Sequence, residues 1–256
     1  MLFKAKSNSA HTIKILAEIL YNNVKNICLE ISKTGIKIHA LNALRSILLD
    51  VELSSDNFNL YKYKSTETLY VGMCASHFYK MLRSIKKKDS ICLFISDDNI
   101  HELGIQVTSS ESERITTSYI NITSEQINIT ELPSGYTKSN LIQASEFSKM
   151  IKDLQMIGKN IRVVKDNYLT FAASIEKLFK RTVAFGDKDD QEDEIFDAVY
   201  STELFSNINK LNSISKTVHV SVKIGLPIFI KTDIGSLGIL KIFIKSIEDV
   251  QDDIDV

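Results

Sequence analysis

Five histidines (His11, His39, His77, His101, His219), three cysteines (Cys28, Cys74, Cys92) and the adjacent carboxylates Asp97-Asp98, Asp189-Asp190 and Asp252-Asp253 are where this sequence could do chemistry. The histidines stand far apart and no HExxH is present, so spacing gives no zinc site. A metal site assembled only in the fold stays open, but nothing in the sequence points to one. Ser76-His77 is a lone neighbouring pair and reads as a helix start rather than a nucleophile with its base. The carboxylate pairs lie in polar runs and read as solvated turns or tail, since acid–base work needs a cleft. No phosphate-binding GxxxxGK[ST], no GxGxxG after a strand and no GxSxG elbow occurs. The expectation is a protein without catalytic centre, metal or cofactor, and the rival is an enzyme whose site forms only in three dimensions.

Cations carry the stronger signal. Lys80 and Arg83 lie three apart on one polar helix face, and Lys149 and Lys152 repeat that placement. Lys14 holds the corresponding spot on an earlier helix and Lys210 on a later one, while Lys86, Lys87 and Lys88 form a basic loop. Acids gather elsewhere, at Asp187, Asp189, Asp190 and Glu192 to Glu194, and at Glu248, Asp249, Asp252, Asp253 and Asp255. A net charge of −1 therefore hides a segregated surface. Cations on one helix face merely solvate it; on equivalent faces of successive units they suit a polyanion. No aromatic platform for single strands interleaves with these lysines, so contacts go to phosphates without sequence preference.

Four segments share one grammar that could position these faces: a short polar N-cap, a helix of roughly ten residues, then alternating apolar strands. The helices begin near residues 9, 75, 144 and 201, with Ser76, Ser145 and Thr202 as expected N-caps. Phe78, Met81, Leu82 and Ile85 share one face, as do Phe147, Met150, Ile151 and Leu154, and also Leu204, Phe205, Ile208 and Leu211. Ile27, Leu29 and Ile31, and Val218, Val220 and Val222, alternate as strands do. Each unit is a helix covering antiparallel strands, an α+β arrangement. The units group into two halves, residues 1–118 and 136–256, joined by a connector at 119–135 that holds Pro133 and alternates Ile120, Ile122, Ile127 and Ile129.

Composition agrees with a packed protein: 256 residues, 44% apolar and 25% charged. The three scattered cysteines suit a reducing compartment, and no apolar signal region or stretch of about 18 apolar residues is present. Without a secretory route, the triplets at Asn121 and Asn128 read as chance matches to a glycosylation acceptor.

The chain resembles the sliding clamps of the proliferating cell nuclear antigen family along nearly its whole length. The likeness is carried by LEISKTGIKIHALN at 29–42, EQINI at 125–129, ASEFSKMIKDLQMIG at 144–158 and LGILKIFIKSIED at 237–249. The last is the most specific, resembling the family's MGhLKYYLAPKIED ending. The resemblance implies a DNA clamp fold of two similar domains, each of two helices on antiparallel sheets, with three chains closing into a six-domain ring around duplex DNA. It implies no catalysis, and partners that comprise double-stranded DNA without sequence specificity, DNA polymerase, repair proteins carrying clamp-interacting peptides, and a clamp loader. Lys14, Lys80, Arg83, Lys149, Lys152 and Lys210 would face the duplex. The peptide pocket would use Leu41, Arg45, Leu48, Ile127, Ile129, Pro227, Phe243, Lys245 and Ser246. Here Arg45 replaces a typical histidine and Lys245-Ser246 the family's Ala-Pro. Ring closure would pair Ile115, Thr117 and Tyr119 of one subunit with Phe179, Arg181 and Val183 of the next. The implied location is a nucleus or a viral replication site, away from membranes. The alternative within this fold is a monomeric or heteromeric relative: a viral processivity factor, a checkpoint-clamp subunit or a clamp-like transcription factor.

Overall fold

Apolar side chains that recur every second residue line one face of a strand and need a surface to bury them, and this chain supplies it by covering sheets with short helices. The computed structural model describes residues 1–112, 114–124, 131–175, 178–186 and 195–254. It divides into two units: Met1–Ala40, Leu49–Thr130 and Asp233–Leu240 form the first; Leu41–Leu48, Glu131–Thr232 and Lys241–Val256 form the second.

In chain order the early elements are β1 (Phe3–Ser7), α1 (Ala10–Asn23), β2 (Asn26–Ser32), β3 (Gly35–Leu41), β4 (Ile47–Ser54), β5 (Leu60–Tyr63), β6 (Leu69–Cys74), α2 (Ala75–Leu82), β7 (Ser90–Ile95), β8 (Glu102–Thr108) and β9 (Ile115–Asn121). One sheet has the order β5-β1-β7-β8-β9, and the other strands run β4-β3-β2-β6. α1 buries Ile13, Ile15, Leu16, Ile19 and Leu20, and α2 buries Phe78 and Leu82. Met81, expected on the apolar face, is 36% exposed. α2 has only eight residues, and Phe78, Leu82 and Ile85, at spacings of four and three, suffice to cover its sheet. Backbones approach closely around β4: a Cβ on Gly35, where φ is +145°, would lie 2.0 Å from the Leu53 carbonyl, and one on Gly238 would lie 1.8 Å from that of Glu52. Only glycine fits either place.

The later elements are β10 (Asn140–Gln143), α3 (Ala144–Gln155), β11 (Asn160–Lys165), β12 (Leu169–Ile175), β13 (Phe179–Phe185), β14 (Phe196–Ser201), α4 (Thr202–Asn207), β15 (Thr217–Ser221), β16 (Ile228–Asp233), β17 (Gly238–Ile244) and α5 (Ile247–Ile254). Strand orders are β13-β12-β11-β14 and β10-β15-β16-β17. Phe147, Phe171, Tyr200 and Phe205 pack edge-on or tilted at the centre, with centroids 6.0–6.4 Å apart. The fourth helix is shorter than its pattern suggests. α4 stops after six residues and a 3-10 segment, Asn209–Ser213, carries the chain on. Ser206 bonds back to the Thr202 carbonyl at 2.9 Å, and the Asn- and Ser-rich run favours turns over helix.

The N-caps also differ from expectation. They are Cys74, Gln143 and Ser201, so Ser76, Ser145 and Thr202 lie inside their helices. Each strand runs into its helix without a loop, and the first helical amide finds a backbone acceptor; Cys74 and Gln143 make no side-chain cap bond, while the Ser201 hydroxyl accepts the Glu203 amide at 3.3 Å. Ala75 donates to Lys25 at 2.9 Å, Ala144 to Lys216 at 2.8 Å and Thr202 to Lys159 at 2.8 Å.

One buried ion pair makes stability depend on pH. His39 Nδ1 on β3 lies 2.9 Å from Oδ1 of Asp50 on β4, whose carboxylate is fully buried. The hydrogen bond that His39 donates to the Asp50 carboxylate raises the imidazole above its ordinary 6.5, burial opposes this, the charges of Asp50 and Glu30 add to it, and Lys37 lowers it. A proton held more tightly in the folded state stabilises the fold below the unfolded value, and that contribution is lost as pH rises through the folded one. Urea unfolding at mildly acidic and mildly alkaline pH should show a decline in stability that is smaller in His39→Gln. Equal declines would disprove the pair's role.

Candidate nucleic-acid interface and peptide groove

The exposed helix faces follow from the junctions just described. With apolar residues turned onto the sheet, Lys80 and Arg83 of the first unit and Lys149 and Lys152 of the second stand exposed. Lys80 and Lys152 occupy the last turns of α2 and α3, where a cation also favours the negative end of the helix dipole. Lys210 is exposed on the 3-10 segment after α4. Lys14 departs from this picture: it is half-buried and its Nζ donates to the Ile85 carbonyl at 2.9 Å. That bond ties α1 to the chain after α2.

Three exposed lysines join these that the sequence reading missed. Lys25, Lys159 and Lys216 are the residues whose carbonyls receive the first helical amides. Each directly precedes an alternating strand, in Lys-Asn-Ile, Lys-Asn-Ile and Lys-Thr-Val, and that repeat was the available signal. A second finding overturns an expectation. Aromatic rings do accompany the cations, for Tyr21 of α1 stacks on Tyr79 of α2 with centroids 5.3 Å apart.

The predicted groove residues that the structure describes fall in the second unit. Asn42 closes a tight loop by accepting the Ser46 amide at 2.8 Å and the Ile47 amide at 3.2 Å. This holds Arg45 in the left-handed region at φ 54°, with its side chain and that of Leu44 exposed. The Lys245 amide donates to the Ser46 carbonyl at 2.9 Å, which fixes the loop beside the end of β17. Leu41 and Pro227 are half-buried, while Leu48 and Phe243 are buried. Ile127 and Ile129 lie outside the described residues.

Two residues absent from the predicted set hold this region together. Phe229 stacks on Phe243 with centroids 4.8 Å apart, and Tyr136 packs on both at 5.1 and 6.4 Å. The Tyr136 hydroxyl donates to the Pro227 carbonyl at 2.6 Å, and burial pushes its pKa well up. Beside these rings is a cavity of about 270 Å³ lined by Tyr136, Lys138, His219, Ser221, Phe229 and Lys231, more polar than a purely apolar pocket. Tyr136 follows the Pro-Ser-Gly turn and Phe229 follows Pro227 by two, so both were within reach of a turn-and-strand reading.

Ser246 is 5% exposed and serves as a helix cap. The Asp249 amide donates to its hydroxyl oxygen at 3.1 Å, and its own amide and hydroxyl donate to the Asp249 carboxylate at 3.3 and 2.6 Å. This reciprocal box starts α5 where an acidic tail was expected. Lys245 is half-buried.

The strands expected at the ring contacts occur as β9 and β13, each at the edge of its sheet. Ile115, Tyr119 and Phe179 are 58%, 58% and 64% exposed, Thr117 is exposed and Val183 half-buried. Arg181 pairs with Asp153 at 3.3 Å in an exposed bridge that is weak enough to exchange partners.

The residues with chemical potential are otherwise engaged. Ser76 Oγ meets Cys74 Sγ at 3.2 Å, and His77 is exposed. Asp97 binds Lys64 at 2.7 Å and the N-terminal ammonium, and these cations hold its carboxyl below the usual range. Asp189 and Asp190 lie outside the described residues. Among the described residues no group of three or more His, Cys, Asp or Glu could hold a metal, and no helix is long and apolar enough to cross a membrane.

Residues 2–130, just over half of the 256, match the family described as proliferating cell nuclear antigen, N-terminal domain. The chain is 23% identical over 259 residues to the probable DNA polymerase sliding clamp 1 of Paramecium bursaria Chlorella virus 1, covering 96% of this chain and 97% of that one. It is 24% identical over 177 residues to the DNA polymerase sliding clamps of Thermococcus gammatolerans and Pyrococcus horikoshii, covering 69% of each chain.

The cap at Ser246 gives a prediction. Ser246→Ala should cost about 1 kcal/mol and speed amide exchange in α5. Unchanged exchange there would show that the box contributes nothing to the helix.

Proposed function

Because this chain belongs to the proliferating cell nuclear antigen family, we propose that it is a DNA sliding clamp that encircles duplex DNA and tethers a DNA polymerase to it. The observation that supports this most is the recurrence of exposed cations at equivalent places: Lys80 and Arg83 on α2, Lys149 and Lys152 on α3. In this reading residues 1–118 and 136–256 are the two clamp domains and 119–135 the connector between them. Lys14, Lys210 and the junction lysines Lys25, Lys159 and Lys216 complete the DNA-facing set. Few cations and a net charge of −1 suit a ring that must tolerate phosphates without gripping them. Counterion release sets the strength of such contacts, and non-specific contacts permit sliding. Retention then comes from topology and needs no catalysis by the clamp.

Partner peptides dock, in this reading, against Leu41, Arg45, Leu48, Pro227, Phe243 and Lys245, with Ile127 and Ile129 of the connector. Tyr136 and Phe229 supply the aromatic floor. Ser246 contributes through α5 rather than by touching the peptide. The ring is a homotrimer closed by β9 of one subunit adding to β13 of the next, and unpaired edges with exposed apolar side chains support that. A separate loader opens it. Repair proteins use the same groove, and the site of action is a nucleus or a viral replication compartment.

Light scattering over a concentration series tests assembly. A species near three times 28.9 kDa, about 87 kDa, is expected; a persistent monomer would exclude the self-assembled ring and favour a monomeric or heteromeric relative. With an assembled ring, the double variant Lys80→Glu, Lys149→Glu should lower processive synthesis by on the order of tenfold while leaving the mass unchanged. Undiminished processivity would remove these helices from the DNA path.

A further inference from the structure

The seam between α1 and α2 carries two aromatic rings at the surface, whereas the rings that meet between α3 and α4, Phe147 and Phe205, are fully buried. Tyr21 and Tyr79 stack with planes 16° apart. Tyr21 nevertheless remains 45% exposed. Its hydroxyl takes no protein partner among the described residues. Stacking fixes a ring that would otherwise sample several orientations, so the hydroxyl is held in one place at the surface.

The corresponding seam of the second unit is closed by other means. ASHFYKMLR at 75–83 and ASEFSKMIK at 144–152 begin α2 and α3 in the same register, which sets Tyr79 against Ser148. Ser148 is 2% exposed and donates to the Asn209 carbonyl at 2.7 Å. A buried serine bonded to the backbone, with Phe147 packed on Phe205, joins those helices, so joining does not require rings at the surface.

The surroundings suit an anion. Lys25 is exposed four residues after Tyr21, Lys80 and Arg83 are exposed beside Tyr79 and one turn beyond, and Lys14, seven residues before Tyr21 on its stripe, is half-buried and bonded to the Ile85 carbonyl. Glu18, the carboxylate on this stripe, is half-buried and not free.

We propose that Tyr21 contacts the backbone of duplex DNA, its hydroxyl donating to a phosphate oxygen and its ring edge resting on deoxyribose, with Tyr79 as the positioning residue. The proposal rests on the sliding-clamp reading and adds a contact of a different kind from the lysines. A lysine contact releases counterions and weakens steeply with salt, whereas a tyrosine hydroxyl adds a short-range hydrogen bond and no charge. Bases in a duplex are already stacked on one another, so the ring meets the sugar and not the base. The contact steadies the duplex against one unit without raising the electrostatic grip that would stop sliding.

Fluorescence anisotropy of a short labelled duplex, titrated with the full-length protein over a series of salt concentrations, tests this. Tyr21→Phe keeps the stack and removes the hydroxyl; binding should weaken roughly three- to tenfold with the slope of log affinity against log salt unchanged. Tyr79→Ser, copying Ser148, should weaken binding less, and Tyr79→Phe should restore it. Lys80→Gln should lower the slope by about one. A Tyr21→Phe protein that binds the duplex as the parent does, while Lys80→Gln lowers the slope, would overturn the proposal. A slope unmoved by Lys80→Gln would count against the sliding-clamp reading instead. Loss of single-strand but not duplex affinity in Tyr21→Phe would also overturn the proposal and make the rings a base-stacking site.

Discussion

The first amide of α2, of α3 and of α4 donates to the carbonyl of a lysine that stands just ahead of a neighbouring strand. Much else follows from this one bond. It lets a strand turn into a helix without a loop, and it fixes the start of the helix against the sheet. Once the start is fixed, the 3.6-residue period decides which side chains reach the core and which face out. Phe78 and Leu82, or Phe147, Ile151 and Leu154, go down, and the cations stay up. The lysine whose carbonyl is taken keeps its side chain in water, so the bond that positions the helix also places a cation at its end. A side-chain cap serves an amide further into the helix, as Ser201 does for Glu203 in α4, so it complements this bond and does not replace it.

The sheets impose a second constraint through their ends. Among the strands at sheet edges, β9 and β13 have a paired neighbour on one side only. Protein edges are commonly blunted by charge. β13 carries Lys180 and Arg181, whereas β9, Ile-Thr-Thr-Ser-Tyr-Ile-Asn, carries none. Tyr119 on that bare edge is held firmly: Phe94 packs on it with centroids 6.1 Å apart, and Gly104, paired between them, leaves the room a Cβ would fill. In the proposed ring, this uncharged edge with its braced aromatic side chain is the one that meets a strand of the next subunit.

The sequence made the periodic parts legible. The helices begin near residues 9, 75, 144 and 201 as expected, and β9 and β13 lie where the resemblance implied strands. What it hid was settled by distant partners. No local pattern announces that Lys25 will serve Ala75, that Lys14 will bond the Ile85 carbonyl, or that Tyr21 will meet Tyr79. The expected caps fell one or two residues too far along, because each strand meets its helix directly. Other misses were readable. Ser246-Ile-Glu-Asp249 is a helix-starting box in plain sight, and the lysine before each strand repeats three times.

Repetition explains the relation between what is shared and what differs. The register of α2 and α3 is kept by the residues that touch the core and by the junction bond, so those positions have little freedom. The residue one turn into the helix, Tyr79 or Ser148, is constrained only to close a seam, and either a ring stack or a buried hydroxyl does so. Freedom at that position is what lets two units with one scaffold present different surfaces. A clamp needs its repeated faces alike enough to let DNA pass and weak enough to let it move. Charge alone couples those two demands, because each added cation tightens the grip everywhere along the backbone. A neutral, oriented hydroxyl uncouples them, and the freedom at the seam is where the fold has room for one.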